Sequence, residues 1–146
     1  MAEQRYFDDI DPGDEFDEQL VMETPKVLKY LGIPGSRLAG PNRFNDPEIA
    51  KRDGMPGMIV PGVMQLDLMS RVLNDFAGQE GRIGHMEVSF RRSVLHGDKL
   101  RALGLVTDTI PGDGEGTIRM DVFFENERGE RPLQGTADVI LPSRKD

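Results

Sequence analysis

The sequence predicts an α+β domain in which an antiparallel sheet wraps around one long central helix. Three observations carry this reading. Gly62 to Ala77 (GVMQLDLMSRVLNDFA) holds an apolar stripe at helical period. From Arg82 onward four consecutive segments alternate apolar and polar residues at the period of a half-buried strand. The length of 146 residues suits one domain, since domains usually span roughly 100–200 residues, so residues 1–146 are taken as a single unit.

Taken in order, Phe7 to Gly13 leads into the turn Asp11-Pro12-Gly13-Asp14, and Phe16 to Met22 (FDEQLVM) reads as a first strand. Thr24-Pro25 is an N-cap hydroxyl followed by proline at the first helical position, with Val27, Leu28, Tyr30 and Leu31 before a stop at Gly32. Asp46-Pro47-Glu48 repeats that entry and Gly54 the stop, giving a second short helix. Within Gly62 to Ala77, Leu66, Leu68, Met69, Val72, Leu73 and Phe76 share one arc, and Asp67, Ser70, Arg71, Asn74 and Asp75 fill the other. Met86, Val88 and Phe90 then alternate against His85, Glu87, Ser89 and Arg91. After a turn at Gly97-Asp98, strands are expected over Leu100 to Thr109, around Ile118 to Phe124, and over Leu133 to Leu141, with turns at Pro111 to Gly114 and Asn126 to Gly129. Strands arriving consecutively after one long helix are most simply accommodated as an antiparallel sheet around it.

Composition excludes several functions. The formal net charge of −8 and the absence of any basic run longer than Arg91-Arg92 argue against a nucleic-acid partner, because phosphate backbones repel an acidic surface. The apolar share of 37%, with 17 glycines beside it, matches a globular core and not a disordered chain. No cysteine is present, which removes disulfides, thiol nucleophiles and cysteine-based zinc sites, and two histidines leave little for a metal. No metal and no cofactor are expected. The first residues carry no apolar signal region and no stretch nears the roughly 18 apolar residues of a spanning helix, so a cytoplasmic protein without a membrane partner is expected.

The glycine-, proline- and asparagine-rich stretches Ser36 to Asn45 and Gly54 to Gly62 mark loops whose backbone approaches something closely. With the segments around them they resemble the MaoC-like acyl dehydratases, relatives of the (R)-specific enoyl-CoA hydratases, which have the hotdog fold. Phe7 to Phe16 (FDDIDPGDEF) looks like that family's entry strand, Asn42 to Asp46 (NRFND) like its hydratase loop, and Ile59 to Val63 (IVPGV) like the start of its central helix. Val88 to Leu100 (VSFRRSVLHGDKL) is the most characteristic piece. The family's loop reads approximately D-x-N-P-x-H, and its Asp and His activate the water that adds to an enoyl thioester. Aligned on Asn42, the His position falls on Asn45 and the Asp position on Gly40, so both proton carriers are missing. An asparagine orients a water or a carbonyl but does not relay a proton.

Val60 to Met69 (VPGVMQLDLM) also resembles the hydroxyacyl carrier-protein dehydratases, hotdog relatives in which a helix entered through Pro-Gly bears a catalytic carboxylate. Asp67 stands in that register, while the His those proteins carry before the Pro-Gly has no counterpart in Asp53 to Gly57. In both resemblances Pro61-Gly62-Val63 leaves backbone N–H groups at a helix start, and Gly62 and Val63 are expected to polarise a thioester carbonyl. The resemblance thus implies an acyl-CoA or acyl-carrier-protein thioester as partner, with Asp67 and Asn45 as catalytic candidates and Asn42, Gly62 and Val63 as binding candidates. Three activities follow: water addition or removal at a 2-enoyl or 3-hydroxyacyl thioester, a non-catalytic binding module or subunit, and a hotdog thioesterase.

Each candidate also has a plain structural reading. Asn45 serves equally as a helix-entry residue, and Asp67 as a solvated acid near a helix N-terminus. Gln65 is unusual because it falls within the apolar arc, as a satisfied buried amide or a site residue. His85 and His96 read as surface or dimer-edge residues. Met55, Met58, Met64 and Met69 read as core filling or an acyl tunnel, and Arg91 and Arg92 as strand-edge charges or phosphate ligands. One copy leaves a sheet edge open, and the resemblance implies a site completed across subunits, so a homodimer or dimer of dimers is expected.

Overall fold

The computed structural model describes residues 3–144. A short 3-10 turn, Phe7–Asp9, precedes strand β1 (Glu15–Val21), and helices α1 (Thr24–Leu31), α2 (Pro47–Arg52) and α3 (Gly62–Ala77) follow. Four strands then run consecutively: β2 (Arg82–Phe90), β3 (Lys99–Pro111), β4 (Glu115–Asn126) and β5 (Leu133–Pro142). They form one five-stranded sheet in the order β1-β3-β4-β5-β2, with every neighbouring pair antiparallel. The excursion through the helices therefore places β1 and β2 on opposite edges.

The sheet's inner face closes on α3. Val106 from β3, Ile118, Met120, Val122 and Phe124 from β4, and Val139 and Leu141 from β5 are buried with Leu68, Met69, Val72, Leu73 and Phe76 of the helix in one core. These residues stand at every second position on the strands and every third or fourth on the helix, which is what lets both surfaces stay apolar where they meet. Two inward glycines make room for aromatics from the N-terminal segment. A methyl group on Gly104 would collide with the Phe16 ring and one on Gly116 with the Phe7 ring. Phe16 in turn stacks on Phe76 of α3 at 4.7 Å between ring centroids, which ties β1 to the C-terminal half of the helix.

Asp46 caps α2 as its sequence implies, accepting hydrogen bonds from the Glu48 and Ile49 N–H groups, with Pro47 in the first turn. Three expectations are adjusted. Thr24 does not cap α1; Glu23 holds the cap position without a side-chain bond, and the Thr24 hydroxyl lies 3.2 Å from His96 Nδ1. Leu66 is only half-buried on α3, and β3 runs to Pro111, beyond Thr109.

The stretch before α3 is fastened to the segment after β2. Val60 N–H donates to Val94 C=O at 2.7 Å, His96 N–H to Met58 C=O at 3.1 Å, and Ile59 bridges Leu95. This pairing fixes the start of α3 beside the end of β2.

Candidate functional site at the start of the central helix

Helix α3 begins without a side-chain cap, because Pro61 occupies the cap position and brings neither a hydroxyl nor an amide donor. The first return bond along the helix is Gln65 N–H to Pro61 C=O at 3.2 Å. The N–H groups of Gly62, Val63 and Met64 therefore precede the bonded ladder and carry the partial positive charge of the helix end. Val63 itself is half exposed, so its contribution to a site is its backbone and not its side chain.

The loop that resembles a hydratase loop reaches this helix start by its backbone. Ile59 N–H donates to Arg43 C=O at 3.2 Å, and the Phe44 side chain lines a pocket of about 330 Å³ that also contains Gly62. Asn42 and Asn45 hold that loop in shape. The Asn42 amide donates to Leu38 C=O at 2.9 Å and Gly40 C=O at 2.8 Å, and its oxygen accepts from Phe44 N–H at 2.9 Å. Asn45 accepts from Asn42 N–H at 2.8 Å and donates to Gly40 C=O at 2.9 Å. Both side chains are thus engaged with the loop's own backbone, and what they set directly is the placement of Phe44. Gly40, at the position of the family's Asp, has open space around it.

The pocket's remaining walls come from α3 and the end of β2. Gln65 is buried to 3% exposure and Phe90 is half exposed, its ring so placed that a Cβ on Gly62 would lie 3.2 Å from it. Arg91, Arg92 and Ser93 complete the rim, and the lining includes neither a carboxylate nor an imidazole. Arg92 pairs with Glu130 at 3.0 Å, whereas Arg91 has no ion-pair partner among the described residues. Hydrogen bonds from Asn126 first and Arg128 second hold the Glu130 carboxyl below the usual carboxylate range. Gln65 is the site residue that the sequence singles out by its arc; Phe90 reads there as an ordinary strand residue, and Phe44 lies within the Asn42 to Asp46 loop without being singled out.

Asp67 is set apart from this pocket within one chain. At about 100° per residue it lies roughly 160° around α3 from Gln65, and its carboxylate accepts a 2.7 Å hydrogen bond from the Tyr30 hydroxyl of α1 on an exposed face. Burial foremost, and then the Asp67 hydrogen bond and charge, push the Tyr30 hydroxyl up to about 12. His85 is exposed on β2, 3.6 Å from Glu87. His96 departs from the surface reading: it is half-buried and its Nε2 is enclosed without a partner. Met64 and Met69 pack in the core and none of the four methionines lines the pocket.

An antiparallel five-stranded sheet wrapped around one long helix, with a loop and a strand end meeting at the helix start, is the hotdog fold. Among solved structures, the chain is similar to the R-hydratase PhaJ1 from Pseudomonas aeruginosa in the unliganded form, at TM-score 0.78 and 18% identity over 95% of this chain and 86% of that one. It is also similar to the MaoC-like dehydratase from Rhodospirillum rubrum, at TM-score 0.78 and 21% identity over 97% and 99%. A third is the C-terminally truncated HadBC (3R-hydroxyacyl-ACP dehydratase) complex from Mycobacterium tuberculosis, at TM-score 0.68 and 16% identity over 88% and 96%. No family model matches the chain, and no curated protein does. At these identities the likeness is one of fold.

Proposed function

We propose that this chain is an acyl-thioester protein of the hydratase and dehydratase type, holding a 2-enoyl or 3-hydroxyacyl thioester at the start of α3. The observation that carries the reading is the pocket in which unbonded helix-start N–H groups, the Phe44 loop and the buried Gln65 amide converge. Amides at a helix start polarise a carbonyl oxygen that enters there, because their dipoles are fixed in advance and point at the developing charge. The resemblance of the loop and helix segments to hydratases, and the fold shared with an R-hydratase and two dehydratases, support the same substrate class.

A second reading concerns who supplies the protons. The pocket lining contains no carboxylate or imidazole, and Asn45 and Gly40 stand where the family's acid and base would be. This favours a chain that binds the thioester while a partner chain, or a second copy bringing Asp67 to the pocket, contributes the acid–base step. One of the three similar structures is itself a two-component complex.

Incubating the purified chain with crotonyl-CoA, 3-hydroxybutyryl-CoA and butyryl-CoA tests both readings. The binding reading predicts association with all three and no interconversion by the chain alone. Hydration or dehydration at an ordinary enzymatic rate, abolished by Asp67→Asn in a folded protein, would show that a second copy completes the site. Absence of binding would overturn the acyl-thioester reading, and hydrolysis of butyryl-CoA would replace it with a thioesterase.

A further inference from the structure

Gln65 is the one polar side chain among the described residues that is fully buried, and half of its amide is unused. Its Nε2 donates to Val60 C=O at 3.3 Å, while Oε1 is enclosed and has no hydrogen-bond partner. The amide cannot relieve this by turning over, because its oxygen would then face the Val60 carbonyl oxygen. A buried acceptor without a donor costs on the order of 1–3 kcal/mol, and an apolar residue of similar size would pack here on the same arc as Leu68 and Met69 without that cost. Gln65 lines the same pocket as Gly62 and Phe90.

We infer that Gln65 selects for a hydroxyl on the acyl chain, its Oε1 accepting the hydrogen bond of a 3-hydroxyacyl thioester, or of the water that occupies the same place on an enoyl thioester. This rests on the proposed acyl-thioester reading of the pocket. Side chains on a helix lean toward its N-terminus, and the bond from Nε2 to Val60 C=O shows that this amide reaches back to the level of the helix start. A thioester carbonyl held by the Gly62 and Val63 amides has its C3 substituent only two carbons away, within reach of an acceptor at that level. Because Oε1 is enclosed, a ligand reaches it only if a wall of the pocket gives way, and Phe90, half exposed at the end of an edge strand and lining the pocket with Gly62, is the wall placed to do so. A saturated chain of the same length leaves Oε1 unpaired, and sites built to bond a hydroxyl discriminate strongly against the analogue that lacks it.

Equilibrium dialysis against butyryl-CoA and against each enantiomer of 3-hydroxybutyryl-CoA, with the acyl species identified at the end, decides the matter. Wild-type protein should bind one hydroxyacyl enantiomer about tenfold or more tightly than butyryl-CoA, one hydrogen bond's worth of preference. Gln65→Met and Gln65→Leu should weaken the hydroxyacyl ligand more than butyryl-CoA and bring that ratio to within about twofold of unity, a change that a purely structural residue would not make because it would weaken both ligands alike. Should both variants fail to fold, the wild-type ratio still stands as the test. A wild-type protein that binds both thioesters equally, or a preference that survives the Gln65 variants, would overturn the inference while leaving the acyl-thioester reading intact. Failure of wild-type protein to bind any of the three would remove the reading and the inference together.

Discussion

At the scale of single residues, the same sequence letter supports a chemical and a structural role, and only its contacts separate them. Asp67 is legible as a carboxylate near a helix start, but its partner Tyr30 lies 37 residues away and belongs to another helix, so no local spacing reveals the bond. Tyr30 gives a pH prediction. Its neutral form is favoured in the folded protein, so its contribution to stability is complete below the ordinary tyrosine value of 10 and is lost as pH rises toward about 12. Absorbance titration near 295 nm in a Tyr6→Phe background should show Tyr30 ionising at about 12, and Asp67→Asn should move that step down while burial keeps it above 10. A Tyr30 step unmoved by Asp67→Asn would mean that the contact does not form in solution. Asn42 and Asn45 teach the same lesson. Asparagines in a glycine-rich loop are readable as turn formers or as water-orienting groups, and their bonds to Gly40, Leu38 and Phe44 show the first role in operation.

At the scale of elements, legibility follows from how much of an element's fate is decided locally. Helix α3 and strand β4 carry 3.6-residue and two-residue periods; the structure gives α3 its expected bounds and extends β4 past Ile118 to Phe124 at both ends, to Glu115–Asn126. The N-cap at Asp46 is likewise local, since the bonds it makes reach only two and three residues ahead. Thr24 is not the cap of α1; its hydroxyl lies instead beside His96, which the two backbone bonds between Met22 and residues 97–98 bring near from across the chain. The inward glycines are the clearest case of what a sequence withholds: Gly104 and Gly116 weaken strand propensity when read alone, yet each is the socket for an aromatic from the N-terminal segment. The pocket was legible in its backbone, through Pro61-Gly62 and the Asn42 loop. Its walls were not, because Phe44 and Phe90 owe their position to tertiary approach at the end of β2.

At the scale of the whole molecule, the sheet ends in two unpaired edges, β1 and β2, and β2 bears the half-exposed Phe90 at its end. Open edges invite pairing with another chain, and we expect a dimer built on one of them. Sedimentation at micromolar concentration should give a species of twice the 16.3 kDa chain mass or a multiple of that; a single species at 16.3 kDa would contradict it. No helix among the described residues is long and apolar enough to cross a membrane, and the acidic net charge leaves the arginines at the pocket rim as a local exception. We propose that the start of α3 receives the acyl thioester. The measurement that tests it most directly is a titration of isotope-labelled protein with crotonyl-CoA, following backbone amide resonances in wild type and in Gly62→Val, whose added methyls would crowd the Phe90 ring and the place of the carbonyl. The largest shifts should fall at Gly62 to Gln65 and at Phe90, with affinity at least about tenfold weaker in a folded Gly62→Val protein. Shifts centred elsewhere, or an affinity unchanged by Gly62→Val, would contradict it.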